Sequence, residues 1–280
     1  MILPLERRWY HRAIIYTILL LGLLFVVIPF LFMLSTSFKT QQFTFEYPPR
    51  LIPQQFTLNN YIRAMKTDLF FLYFVNSLFV ALITTSATML ISAMMAYAFA
   101  RLDFLGKETI FYFLLIGLMI PPVMLIIPQF LVAKNLKLLN TLAGLIIVYI
   151  TMNLSLQTFL LRSFFESIPS ELEDAVLIDG GGRWTIFWHI ILPLSRPGLA
   201  TVAIFTFLYS WDEFPWAHVA IQETTRRTLP VAIALFQNQH LTQWGQVFAA
   251  STVALIPVVI IFIIFQRYFI QGIARSGLKG

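Results

Sequence analysis

The 280-residue sequence contains no cysteine and only four histidines. The absence of cysteine excludes disulfide bonds, thiolate metal sites and a cysteine nucleophile. The histidines (His11, His189, His218 and His240) lack the spacing of metal ligands, so we expect no metal site. A phosphate-binding loop is also missing, because Gly180-Gly181-Gly182 is not followed by Lys and then Ser or Thr. We therefore expect no catalytic residues and no bound cofactor in this chain.

Charged residues are scarce as well. They make up 11% of the chain, whereas 59% of the residues are hydrophobic and the mean hydropathy is +0.80. In soluble domains about a quarter of the residues are charged, so the composition predicts an all-α integral membrane protein. The net charge of +6 is not concentrated in a Lys/Arg patch. This favours contact with lipid headgroups over nucleic-acid binding.

Apolar runs predict six transmembrane helices. The first run holds about 22 residues, roughly 33 Å as a helix, and no small-residue cleavage site follows it, so we expect an uncleaved span. The predicted spans are 13–34, 72–100, 109–132, 141–161, 198–221 and 248–270. An N-terminal segment 1–12, a polar loop 35–71, a loop 162–196 and a tail 271–280 complete the chain, and residues 72–266 form the core.

The distribution of Lys and Arg predicts the orientation of the spans. Six spans place residues 1–12, the loop 162–196 and the tail 271–280 on one side of the membrane. Lys and Arg on that side are more numerous and crowd the ends of the spans, as the positive-inside rule requires for the cytoplasm. We expect both termini and the loop 162–196 to be cytoplasmic, and the loop 35–71 to be extracytoplasmic.

The loop 162–196 is a helix, a glycine hinge and a second helix. Ser170 as N-cap with Glu173 three residues later predicts a capping box, and acidic residues in the first turn suit the helix dipole. Gly180-Gly181-Gly182 is expected to stop the helix. A second short helix is expected at about 184–191, ending at Pro193. The bland alternative is an ordinary amphipathic loop between two spans.

This loop resembles the EAA loop of ABC-importer permeases. The resemblance is carried by Asp174-Ala175-Val176, by Gly180 and by Ile190-x-Leu192-Pro193, and it departs from the family at Asp174 (usually Glu) and Val176 (usually Ala). It implies the type I importer fold, in which the loop is a cytoplasmic coupling helix that docks on an ATP-binding subunit. The docking residues it implies are Glu173, Asp174, Ala175, Asp179 and Gly180.

The end of the chain is similar to the tail of the second permease in maltose-type carbohydrate importers. Ser276-Gly277-Leu278-Lys279-Gly280 carries that resemblance, which implies contact of Ser276, Gly277 and Lys279 with the ATPase subunits. The implied partners are a second homologous permease, two ATP-binding cassette subunits that bind ATP and Mg²⁺, an extracytoplasmic solute-binding protein and membrane lipid. The implied location is a prokaryotic cell (inner) membrane, and the implied cargo is a sugar or oligosaccharide.

Polar residues inside the spans are candidates for contact with the solute. Asn153 lies within the fourth predicted span, and Trp211, Asp212 and Glu213 lie within the fifth. Carboxylates and aromatic rings suit sugar recognition, and ionisable residues at membrane depth usually face a cavity or a partner. An interfacial aromatic belt with the acids in headgroup water is the alternative interpretation. Hinge candidates are Pro121, Pro122 and Pro257, although helix packing explains them as well.

Three other functions remain open from the sequence. The same architecture importing glycerol phosphate or another small polar solute is the nearest alternative, but the spans offer no mid-membrane Lys or Arg for a phosphate. A stand-alone secondary transporter or channel is disfavoured because few charges are buried and no inverted repeat is evident. A membrane enzyme using Asp212 and Glu213 as acid and base lacks a nucleophile or metal motif.

Overall fold

The computed structural model describes residues 9–66, 69–236 and 242–276, with the side chains of 268–276 excepted. Within these ranges the regular elements are helices, and the only strand-like pairing is an isolated bridge between Lys39 and Phe56. In chain order the helices are α1 (Trp9–Ser37), α2 (Asn59–Met65), α3 (Phe70–Arg101), α4 (Lys107–Ile116), α5 (Ile126–Asn135), α6 (Leu142–Glu166), α7 (Glu171–Ile178), α8 (Arg183–Ile186), α9 (Leu192–Leu194), α10 (Arg196–Asp212), α11 (Pro215–Ala220), α12 (Leu229–Leu235) and α13 (Trp244–Ser276).

The chain forms two compact units. One comprises Met1–Asp68 with Ile233–Ala254, and the other comprises Leu69–Ala232 with Leu255–Gly280. The boundary does not coincide with the predicted core 72–266, because residues 233–254 belong to the first unit.

In the first unit, a polar network orders residues 37–60 of the predicted extracytoplasmic loop. The buried Lys39 Nζ lies 3.2 Å from Glu46 Oε1 and donates to the carbonyl of Arg50 at 2.6 Å. Asn60 Nδ2 donates to the carbonyls of Ser37 and Lys39 at 2.9 and 2.7 Å. These bonds satisfy polar groups that would otherwise be buried at a cost, so a loop without regular strands keeps a defined path.

The centre of the second unit is a three-helix packing of α3, α6 and α10. The buried stripe of α3 is rich in small and hydroxylated residues, which let membrane helices approach closely. It includes Ser77, Ala81, Thr84, Thr88, Ser92, Ala93 and Ala96. Close approach is also visible at Gly198 of α10, where an added Cβ would lie 2.8 Å from the ring of Phe164 in α6.

Two predicted spans are not straight helices. The run predicted at 109–132 is bent by 99° between Lys107–Met119 and Pro122–Asn135, because Pro121 and Pro122 interrupt the backbone hydrogen bonds. The run predicted at 198–221 is interrupted after Asp212, where Glu213 is extended (φ −65°, ψ 119°) and Pro215 begins α11. Pro257, by contrast, lies inside the continuous helix α13.

Among the described residues, four helices are long and apolar enough to cross a membrane: α1, α3, α6 and the Trp244–Arg267 part of α13. Two bent pairs, Lys107–Met119 with Pro122–Asn135 and Arg183–Leu194 with Arg196–Asp212 (77°), bring the number to six if each pair forms one span. The predicted all-α integral membrane fold is confirmed. The six-span count is one of the arrangements that these helices allow.

Candidate functional site

Helix α7 begins where the sequence predicts but for a different reason. It starts at Glu171, directly after Ser170, and its first turn carries Glu171, Glu173 and Asp174. The predicted capping box is wrong, because the Ser170 side chain makes no capping hydrogen bond and the Glu173 side chain is buried instead of reaching back to the N-cap. An ion pair with an arginine from another helix takes the place of the local hydrogen bond.

The end of α7 is a Schellman motif, which two glycines make possible. The N–H of Gly180 donates to the carbonyl of Leu177 at 3.1 Å, and the N–H of Gly181 donates to the carbonyl of Val176 at 2.8 Å. Gly180 has φ +80°, a left-handed conformation that residues with a Cβ resist. A Cβ on Gly181 would lie 2.5 Å from Val176 Cγ1, so the chain turns back too tightly for a larger residue.

Most of the predicted docking residues are exposed on α7 or at its C-terminal end. Asp174, Ala175, Asp179 and Gly180 are exposed, whereas Glu173 is buried. Exposed apolar side chains accompany them: Leu172 and Leu177 are each 42% exposed, and Ile178 is 85% exposed. An acidic and apolar surface on a short helix suits a protein partner better than water alone.

Glu173 is held by Arg101, the last residue of α3. Arg101 Nε lies 2.7 Å from Glu173 Oε1 in an ion pair that is not an aligned hydrogen bond. Arg101 Nη2 donates to the carbonyl of Phe165 at 2.7 Å and also to the carbonyl of Ile168. Sequence reasoning missed Arg101, since only the fold brings the end of α3 into contact with the end of α6 and with α7. A lone arginine at the end of an apolar run was the one available signal.

The second half of the loop 162–196 packs against the bundle. Residues 183–194 are helical, with a π-helical turn at Phe187–Ile191 where the sequence predicts an ordinary short helix. Ile186, Phe187 and Ile191 are buried in one apolar cluster with residues of α3, α6 and α10. The loop is therefore anchored at its second helix and presents its first helix outward.

A cavity of about 420 Å³ lies between α5, α6, α10 and α11. Its lining includes Pro122, Gln129, Met152, Tyr209, Asp212, Glu213 and Trp216. Asp212 is exposed, and its carboxylate has no hydrogen bond or ion pair with the described residues. None of the described residues that line the cavity is Lys or Arg, so its polar surface is acidic or neutral.

Glu213 also borders this cavity, but its carboxylate is engaged. Oε2 accepts from the hydroxyl of Tyr149 at 2.6 Å and from the N–H of Ala217 at 3.0 Å, while Oε1 accepts from the N–H of Trp216 at 2.7 Å. The two backbone donors belong to the first turn of α11, where N–H groups lack partners within the helix. Glu213 therefore fastens α11 and the buried Tyr149 to the end of α10.

The other two predicted solute contacts do not line the cavity. Trp211 is 2% exposed, stacks on Phe207 with ring centroids 5.8 Å apart, and meets Phe74 edge to face. Asn153 is 6% exposed, and its amide donates to the carbonyl of Tyr149 one turn earlier at 2.8 Å. Both residues pack in the helix bundle in this conformation.

Sequence reasoning missed Gln129 and Tyr209 at the cavity. Gln129 is a polar residue inside an apolar run, which was a usable signal, because such residues seldom face lipid. Its amide lies 3.5 Å from the sulfur of Met152. Tyr209 lies one turn before Glu213, and its ring meets the ring of Tyr149 edge to face. No pattern in the sequence distinguishes Tyr209 from the other tyrosines.

Part of the predicted site lies beyond the described residues. Gly277 and Lys279 are outside them, and the side chain of Ser276 is not described. The described part of the chain holds no cluster of three or more His, Asp or Glu side chains that could bind a metal ion.

Comparison with known proteins identifies the family. The profile described as "Binding-protein-dependent transport system inner membrane component" matches residues 90–275. The chain is 38% identical to the sulfoquinovosyl glycerol transport system permease protein of Agrobacterium fabrum, with 96% of this chain and 93% of the relative aligned. It is 37% identical to the trehalose/maltose transport system permease protein of Thermococcus litoralis, over 90% of this chain and 91% of the relative.

A solved structure shares the fold. A chain of a bacterial ABC transporter involved in the import of the acidic polysaccharide alginate superposes with a TM-score of 0.77, covering 96% of this chain and 99% of that chain at 22% identity. The profile match spans well over half of the chain, and the aligned relatives agree with it over nearly their full length. This chain therefore belongs to the family of binding-protein-dependent transport system inner membrane components, the permeases of ABC importers.

Proposed function

We propose that this chain forms half of the translocation pathway of an ATP-driven importer, through which a binding protein delivers a sugar or oligosaccharide. A second homologous permease forms the other half, and two separate ATP-binding cassette subunits bind ATP and Mg²⁺ and supply the energy. The observation that carries this proposal is the outward face of α7 and its C-cap, where exposed Asp174, Ala175 and Asp179 lie among exposed leucine and isoleucine side chains.

The coupling step follows from the way the loop is built. The Schellman turn at Gly180 fixes where α7 ends, and the buried second helix fixes where the loop stands on the bundle. A rigid lever of this kind transmits movement of a bound ATPase to the spans, as expected for a two-state transporter. The tail residues Ser276, Gly277 and Lys279 are proposed to add contacts to the ATPases.

The orientation proposed for the chain is cytoplasmic at both termini, in a prokaryotic inner membrane. Arg101 ends α3 and Arg183 begins α8, and both form ion pairs with Glu173 of α7. Arg196 begins α10 at the end of the loop 162–196. Basic residues near span ends favour the cytoplasmic side, where the ATPases have their substrate.

The acidic cavity is the proposed solute contact of this subunit. Asp212 has free acceptor capacity, Gln129 offers an amide, and Tyr209 and Trp216 offer aromatic surface. Such a lining suits the hydroxyl groups and C–H faces of a neutral sugar. Because Asp212 and Glu213 are acidic and the described lining offers no basic residue, glycerol phosphate and other anions are disfavoured as cargo. Pro121 and Pro122, at the 99° bend beside this cavity, are the proposed hinge.

The test is reconstitution of the chain with its candidate partner permease, ATPase and binding protein. Ile178→Asp places a charge on the exposed apolar face of α7, and we expect binding-protein-stimulated ATP hydrolysis to fall by about tenfold or more. Leu105→Asp is the matched control, since Leu105 is fully exposed in the turn between α3 and α4 and lies outside α7.

Three outcomes would contradict the proposal. Failure of any ATPase to associate would leave transport by the lone chain as the better hypothesis. Normal coupling in Ile178→Asp would remove α7 from the interface. Uptake of an anionic solute in preference to neutral sugars would overturn the assignment of cargo while leaving the importer architecture intact.

A further inference from the structure

Arg101 joins three elements that are far apart in the sequence. It ends α3 and donates to the carbonyl of Phe165 in the last turn of α6 and to the carbonyl of Ile168 just after that helix. It also forms the ion pair with Glu173 of α7. Carbonyls at a helix C-terminus lack partners within the helix and carry the negative end of its dipole. A single guanidinium therefore hydrogen-bonds to the end of α6 and forms an ion pair with α7 at once.

The arrangement requires arginine. A guanidinium presents five N–H donors in a fixed plane, so separate nitrogens can serve the carbonyls and the carboxylate at the same time. Lysine offers a single point charge on a flexible stem and does not reproduce this geometry. The nearest other cation, Arg183, does not replace it, since its Nη1 is 3.8 Å from Glu173 Oε2 and its side chain is 54% exposed.

Glu173 is also the only buried residue of α7, which the structure describes completely. The other side chains of that helix are exposed, except Val176, which is partly buried against the apolar cluster below it. The Arg101 and Glu173 side chains are only 14% and 6% exposed. Because water screens their charges little, the electrostatic attraction between them is stronger than at the surface. The buried side-chain contact between the docking helix and the bundle is thus this pair, with the packing of Val176 beside it.

We propose that Arg101 is a positioning residue for energy coupling: through Glu173 it makes α7 move with α3 and α6 as one body. The inference rests on the proposed function, because it assigns the link between an ATPase docked on α7 and the helices that line the pathway. Without the pair, α7 remains tethered by its flanking turns and apolar contacts but tilts independently of the bundle.

The experiment compares Arg101→Gln, Arg101→Lys, Glu173→Gln and the double variant Arg101→Gln/Glu173→Gln in the reconstituted complex. The readouts are the amount of complex, the stimulation of ATP hydrolysis by binding protein, and solute taken up per ATP hydrolysed. Lys107→Gln is the matched control, because Lys107 makes a surface ion pair with the exposed Asp103 at 3.6 Å in the neighbouring turn.

We expect Arg101→Gln to assemble and to lose about tenfold in stimulation and in uptake per ATP. Stimulation and uptake per ATP in Arg101→Lys should lie between those of Arg101→Gln and the wild type. Lys107→Gln should match the wild type. The double variant should be no worse than either single one, since it leaves no unpaired buried charge. If Arg101→Gln yields no complex, Arg101→Lys and Glu173→Gln decide the question with the same readouts.

Two results would overturn the inference while the proposed function stands. One is full stimulation and normal uptake per ATP in the Arg101 variants. The other is a lower yield of complex whose stimulation per complex is unchanged, which would make the pair a purely structural contact. An unstimulated wild-type complex would instead overturn the proposed function, and the inference with it.

Discussion

Asp212 and Glu213 are adjacent acids at one cavity, and the structure predicts that neutralising each one affects a different property of the protein. The Glu213 carboxylate accepts hydrogen bonds from Tyr149, Trp216 and Ala217, whereas the Asp212 carboxylate makes none with the described residues. Glu213→Gln should therefore lower stability, while Asp212→Asn should change the interaction with solute. The two variants make the same chemical change, carboxylate to amide, at adjacent positions.

The magnitude follows from the three donors around Glu213. An amide has one oxygen, so at least one donor now faces an NH₂ group and loses its acceptor. A hydrogen bond to a charged group contributes about 1.5–3 kcal/mol, and the bonds that remain lose their ionic character. We therefore expect Glu213→Gln to destabilise the protein by about 2 kcal/mol or more. Tyr149→Phe removes one of the same bonds, so the two effects should be less than additive.

The assay is thermal unfolding of the purified permease, together with the KM for uptake in the reconstituted complex. A loss of about 2 kcal/mol corresponds to roughly 4–8 °C in the unfolding midpoint. Asp212→Asn should stay within about 0.5 kcal/mol of the wild type and should alter KM or the tolerance for anionic solutes. A Glu213→Gln protein with wild-type stability and a changed KM would refute the reasoning and restore Glu213 as a solute contact.

Two glycine pairs give further tests. Gly180→Ala forces a residue with a Cβ into the left-handed region and should destabilise the end of α7 by about 1–2 kcal/mol. Faster hydrogen exchange of the α7 amides would show this loss. Gly182→Ala is the control and should change little, because Gly182 has φ −99° and open space where a Cβ would lie. Gly198→Ala drives a Cβ into the Phe164 ring and should cost about 1–3 kcal/mol in thermal unfolding, whereas Gly22→Ala meets nothing within 4 Å and should be neutral or slightly stabilising. Equal behaviour within either pair would contradict the local geometry.

Features set by local chemistry could be predicted from the sequence. Hydropathy and low charge determined the membrane class, and the start of α7 after Ser170 and its stop at Gly180 follow from residues within a few positions. The prolines at 121 and 122 indicated a discontinuity, since they remove backbone donors wherever they occur. The size of the bend, 99°, depends on what surrounds it and could not be predicted.

In the candidate sites, some features depend on local sequence and others on tertiary packing. The exposed face of α7 was largely predictable, because helix periodicity decides which residues share a face. The role of Glu173 was not, since a capping box and an ion pair both suit a glutamate at that position. Trp211 and Asp212 are neighbours in the sequence, yet one is buried against Phe207 and the other opens into the cavity.

The sequence by itself determined that this chain is a helical membrane protein with a short helix that stops at Gly180, because hydropathy, glycine geometry and proline act over a turn or two of chain. Its resemblance to ABC-importer permeases indicated the family, which the comparisons confirm. Only the tertiary structure decided that Arg101 holds Glu173, that Glu213 fastens α11 and that Asp212 remains available at a cavity. Those assignments depend on which polar groups meet after the helices pack. A buried charge takes whichever partner the fold brings within reach, however distant that partner is along the chain.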